Sequence, residues 1–170
     1  MSEKIYEFDN FVIIDKDLSY TGKTYQYQIV KRKSYVTIVP QMQRDFIMIK
    51  EFRPAIDNTI LQFPSGRIED YETPEEAAKR ELCEETGFTC SGIRKLGCFY
   101  SAAHFTDELI YVYFAYDLVS GEQRPTEREL ISVECHNVYD IEVLIRNNKI
   151  LDAKTIIAFD MWRRIKDEKY

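Results

Sequence analysis

The stretch from Gly66 to Phe88, GRIEDYETPEEAAKRELCEETGF, decides the fold. Thr73 stands at an N-cap position, Pro74 at the first helical position and Glu76 at the third, a capping-box pattern, and Gly87 supplies the stop. The spacing predicts a helix over about 74–86. On a helix turning 100° per residue, Glu81, Glu84 and Glu85 lie within about 100° of each other. Like charges so placed cost roughly 0.2–0.5 kcal/mol per pair. Arg80, four residues before Glu84, offsets one charge, so the face needs a further cation. Hard divalent ions take oxygen ligands, commonly a couple of carboxylates together with substrate phosphates, so the pattern points to phosphate chemistry.

Working outward, the flanks read as strands. Upstream, FVIID, TYQYQIVKR and SYVTIVP alternate, and the turn Tyr20-Thr21-Gly22-Lys23 between the first two predicts an antiparallel hairpin. DFIMIKEFRP is a further strand stopped by Pro54, and TILQFPSG an extended piece leading into the box. Downstream, GIRKLGCFYSAA and ELIYVYFAYDLV read as strands joined by a loop at 102–107, a position where site residues collect. After the polar SGEQRPTEREL come a strand-like LISVECHNV and two helices, about 140–147 and 152–167. Strands, a helix, strands and then helices imply a mixed sheet covered by helices.

At 170 residues the chain suits one substantial core. A net charge of -6 with scattered basic residues argues against a nucleic-acid partner. The polar N-terminus and the lack of a long apolar run argue against a signal peptide or a membrane span. Four cysteines without a CxxC pair fit reduced thiols and a cytoplasmic protein.

Gly66, Glu72 and Arg80-Glu81-Leu82-Cys83-Glu84-Glu85-Thr86-Gly87-Phe88 match, position for position, the pattern Gly, five residues, Glu, seven residues, Arg-Glu-aliphatic-x-Glu-Glu-x-Gly-hydrophobic. This resembles the Nudix hydrolase family. The resemblance implies a Nudix α/β/α sandwich with a mixed sheet, here with an N-terminal antiparallel strand extension. Residues 1–38 would be that extension, a candidate for forming a homodimer, and 39–170 the Nudix domain. It further implies magnesium or manganese, held mainly by Glu81 and Glu85 with Glu84 assisting and with the Ser65 carbonyl near a metal. Arg80 would be the structural partner of the cluster and Gly66 a tight turn.

Outside the box, YTGKTYQYQIVKR, KEFRPAI, LQFPSGRIED and KILDAKTIIAFDMW resemble the ADP-ribose pyrophosphatase branch in order and spacing. That resemblance implies hydrolysis of ADP-ribose or a related nucleoside diphosphate sugar. Arg53 and Arg32 would contact substrate, Tyr27 and Phe11 would stack on adenine, and His104 would touch substrate or water. Glu108 would be the general base or an added metal ligand, with Glu127 or Glu129 as the rival. The branch typically carries Ser-Pro-Gly in the loop after Tyr100, whereas this chain reads AAHFTDE from Ala102 to Glu108. The substrate therefore stays open to another nucleotide sugar or a dinucleotide, and a non-catalytic ADP-ribose-binding module is the rival of another class. RNA decapping would call for a basic surface.

Overall fold

The computed structural model describes residues 4–121 and 131–167. Among these, β1 (Lys4–Phe8), β2 (Phe11–Tyr20) and β3 (Lys23–Lys31) form a three-stranded antiparallel sheet. Its second hairpin closes with Tyr20 opposite Lys23, and both central residues, Thr21 and Gly22, have positive φ. That conformation matches the twist of a two-residue hairpin and costs Gly22 little.

β4 (Tyr35–Met42), β5 (Asp45–Arg53), β6 (Asn58–Gln62), β7 (Ser65–Arg67), β8 (Phe88–Tyr100), β9 (Leu109–Ser120) and β10 (Ile131–Asn137) make the main sheet. Its order is β10-β5-β4-β9-β8, with β6 added on β5 and β7 on β4. The β4–β9 pair is parallel and the remaining pairs are antiparallel. The sheet is therefore mixed, as the pattern of elements implies.

β4 and β5 pair only at Gln41–Phe46 and Met42–Asp45. Beyond that point they part, and β7 pairs with Tyr35–Thr37 while β6 pairs with Ile49–Arg53. This divergence opens the sheet at the start of β4 and the end of β5. A short 3-10 turn at Pro54–Ile56 ends β5, because proline cannot donate to the ladder.

Alternation along β4 supplies both faces of the sandwich. Val36 and Ile38 point to Ala77, Ala78 and Leu82 of α1 (Pro74–Thr86). Val39 points the other way, into a cluster with Phe46, Phe63, Ile141, Phe159 and Trp162. Ile141 belongs to α2 (Val138–Arg146), and Phe159 and Trp162 to α3 (Ala153–Asp167). Phe46 meets the Trp162 ring edge-on at 4.6 Å, and Phe46, Phe63, Ile141 and Trp162 are almost wholly buried. The outcome is a helix–sheet–helix sandwich.

α1 has the bounds its sequence implies, with the reciprocal Thr73–Glu76 capping box and Gly87 left-handed at φ 75. α2 starts two residues before the expected 140, because Asn137 caps it by accepting from the Asp140 N–H. The first sheet ends at Lys31 and β4 begins at Tyr35, so the division expected at 38 falls inside β4. Among the described residues, no helix is long and apolar enough to cross a membrane.

Candidate active site

Arg80 is the hub of the acidic face of α1. Its Nη1 donates to Glu81 at 2.7 Å and to Glu84 at 2.9 Å. Its Nε and Nη2 grip Glu72 at 3.0 and 2.7 Å in a fork, and Nη2 also donates to the Arg67 carbonyl at 2.8 Å. A planar guanidinium can serve this many acceptors at once, and an ammonium cannot. Pairing with Glu72 foremost, and then with Glu81 and Glu84 against the cost of burial, raises the Arg80 pKa above its ordinary value. The same contact, outweighing burial, holds the Glu72 carboxyl below the usual range. One cation against three carboxylates leaves this cluster net negative.

Glu85 lies deeper, almost fully buried, and accepts from the Ser65 backbone N–H at 2.8 Å. That bond ties the helix to the first residue of β7. Gly66, expected as a tight turn, is instead a strand residue without positive φ. Its importance is room: a Cβ there would lie 1.9 Å from the Glu81 carboxylate. The missing side chain is what lets Glu81 rest against the strand.

The donors on this face are carboxylate and backbone oxygens, which suits a hard divalent cation and not a soft one. With Glu81 and Glu84 turned toward Arg80, no three His, Cys, Asp or Glu side chains converge as a metal cluster among the described residues.

Where β4 and β5 part lies a cleft of about 210 Å³ lined by Arg32, Tyr35, Arg53, Ser65, Glu108, Ile110 and Lys154. It brings together four of the expected residues, Arg32, Arg53, Ser65 and Glu108. Arg32 Nη1 is 2.8 Å from Glu108 Oε1, and its guanidinium lies 5.5 Å from the centre of the Tyr35 ring. Arg53 Nη1 is 2.8 Å from Glu51 Oε1, and the other Glu51 oxygen accepts from Gln62. Glu108 and Glu51 are both nearly buried, so each guanidinium is steadied by a carboxylate set behind it.

The loop carrying Glu108 is sewn to the end of β3. Val30 N–H donates to the Phe105 carbonyl at 2.8 Å, and Val30 bridges Thr106. Asp107 accepts from the Arg32 N–H at 3.2 Å and pairs with Lys31 at 2.7 Å. Burial opposes ionisation of Asp107, but these partners outweigh it and hold the carboxyl below its usual range. Thr106 Oγ1 then accepts from the Glu108 N–H.

Other expected residues lie apart from the cleft. His104 is exposed and packs edge-on against Phe105 at 4.8 Å. Tyr27 stands opposite Lys16, and Phe11 opposite Phe8 with their rings stacked at 4.7 Å. By strand alternation Tyr27 and Phe11 occupy opposite faces of the small sheet, so one chain does not bring them together. Glu127 and Glu129 lie outside the described residues.

Sequence reading missed Glu51 and Lys154. Glu51 had a signal, because residues two apart on a strand share a face and Glu51 therefore sits beside Arg53.

A NUDIX domain family model matches residues 31–159, which leaves the small sheet almost wholly outside it. The chain is 36% identical over 140 residues to an ADP-ribose pyrophosphatase of Bacillus subtilis (strain 168), covering 81% of this chain and 76% of that protein. It is 45% identical over 80 residues to an ADP-sugar pyrophosphatase of Mus musculus, covering 40% of this chain and 37% of the other. Its fold is that of a solved ADP compounds hydrolase, with a TM-score of 0.87 at 23% identity, covering 99% of this chain and 97% of that one.

Proposed function

We infer the activity from a fixed premise: the chain belongs to the NUDIX family and is a Nudix hydrolase. Members of this family use divalent metal ions. The reading supported best is hydrolysis of the diphosphate of ADP-ribose or a related nucleoside diphosphate sugar, giving a nucleoside monophosphate and a sugar phosphate. The observation that carries it is the junction at Ser65, where a net-negative helix face adjoins a cleft lined by Arg32, Arg53 and Glu108.

Glu81 and Glu85, with Glu84 and the Ser65 carbonyl at their side, would hold magnesium or manganese. When bound, such an ion supplies charge to neutralise the diphosphate and to acidify water. Arg53 and Arg32 orient the diphosphate, and the carboxylate of Glu108 takes the proton from the attacking water. Arg32 fixes where that carboxylate sits, and Tyr35 and Ile110 limit the water around it. Arg80 keeps Glu81 and Glu84 from repelling one another apart.

The small sheet supports a homodimer. Ile5, Leu18, Tyr25 and Tyr27 are exposed large apolar residues that lie on one of its faces. A second copy covering that face would supply neighbours for Tyr27, and light scattering on the purified protein reads the mass directly. Four free cysteines fit a reducing compartment, the cytoplasm.

The test is turnover with magnesium or manganese on ADP-ribose, other nucleotide sugars and dinucleotides, with products separated by anion exchange. The wider panel is needed because Ala103 and His104 depart from the Pro and Gly of the ADP-ribose branch. Glu85→Gln should lower kcat by about 10³-fold, the scale of removing one group that stabilises transition-state charge. A binder without catalysis would show no turnover to lose.

A further inference from the structure

We propose that Lys154 is a substrate contact that binds a phosphate of the diphosphate, the third cation of the cleft beside Arg32 and Arg53. This rests on the diphosphatase reading and assigns a role to a residue outside the acidic box.

Lys154 is the second residue of α3 and lines the cleft with Arg32, Arg53, Ser65 and Glu108. A lysine is badly placed there on electrostatic grounds, since a helix N-terminus carries partial positive charge and favours acidic residues. The first turn of α3 itself holds no acidic residue, and the carboxylate at this end is Asp152, immediately before it. Two guanidiniums already line the same small space. A third cation is stable there when anions answer it, and the fold supplies one from behind, leaving the face toward the cleft for another.

That anchoring anion is Asp152, whose Oδ1 is 2.7 Å from Lys154 Nζ. Its Oδ2 accepts from Thr155 N at 2.9 Å and Thr155 Oγ1 at 2.8 Å. Thr155 Oγ1 in turn accepts from the Phe63 N–H at 2.9 Å, two residues before Ser65. The ammonium is thus positioned relative to the box through a fixed chain of hydrogen bonds. The three cations share one construction, each backed by a carboxylate that is largely withdrawn from solvent, Glu108, Glu51 and Asp152. All three line the same cleft, and the third is built as the other two are.

The rival is a structural pair in which Lys154 only neutralises Asp152. Steady-state kinetics on ADP-ribose with magnesium separates them. Lys154→Met should raise KM tenfold or more with kcat within about threefold, and Lys154→Arg should recover part of the loss. Because Lys154→Met strands the Asp152 carboxylate, the double variant Asp152→Asn with Lys154→Met keeps the measurement open if the single variant folds poorly. An unchanged KM in either folded variant overturns the proposal, as does a fall in Tm with KM unmoved. Should the wild type leave every nucleotide substrate uncut, the diphosphatase reading fails first. Calorimetric binding of inorganic pyrophosphate then decides for Lys154: tenfold weaker binding in the variant supports the contact, and equal binding overturns it.

Discussion

The helix face around Arg80 and the cleft around Arg32, Arg53 and Lys154 adjoin at Ser65 and solve opposite electrostatic problems. On the helix, one guanidinium is shared among Glu72, Glu81 and Glu84. In the cleft, each cation has its own carboxylate. The first region is cross-linked and short of positive charge. The second is made of separate pairs, each cation held by a carboxylate of its own. On the proposed reading, the first would carry stability and the second selection of substrate.

If that division holds, removing the hub should cost the most. Arg80→Met should destabilise the protein by about 3 kcal/mol, the lower end for breaking a buried pair because Arg80 keeps some exposure, and chemical denaturation reads it. Arg80→Lys should rescue little, since an ammonium cannot reproduce the fork on Glu72. Gly66→Ala should part stability from activity. The added methyl displaces only the flexible end of Glu81, so Tm should hold within a few degrees while kcat falls about 10²-fold, the cost of roughly 1 Å of misplacement. An equal loss in both would join the two regions into one cooperative unit.

On the cleft side effects should be smaller and selective. Asp107→Asn should lower activity about fivefold at unchanged fold, because it loosens the loop that carries Glu108 while Val30 still holds Phe105. The pH dependence of that clamp has a definite sign. Since the folded pKa of Asp107 is depressed, its stabilisation is present above the unfolded value of about 3.9 and is lost as pH falls through the folded one. The Tm difference between wild type and Asp107→Asn should stay constant from pH 8 to about 5 and shrink progressively as pH falls below roughly 4.

The helix was legible because its signals are local: a cap, a proline, a glycine and carboxylates at helical spacing act within a few residues. The box fixed the family, the mixed sheet and the reaction class. What sequence did not reveal depends on pairings far along the chain. The role of Gly66 is to make space for Glu81, which only the approach of β7 to α1 discloses. The opposite faces of Phe11 and Tyr27 follow from hairpin registers. Lys154 reads as an ordinary surface lysine until α3 docks beside the parted strands.

The hydrogen bond from Phe63 to Thr155 spans 92 positions of the chain. In the order of synthesis, the acidic helix is complete long before the segment that closes the cleft emerges. A nascent chain lacking Ala153–Asp167 has an unanswered N–H at Phe63 and an unroofed sheet where Trp162 and Phe159 belong. Arg32, Arg53 and the carboxylates of α1 are all encoded before Lys154, so truncation from the C-terminus should remove the third cation of the cleft while those residues stay in the chain.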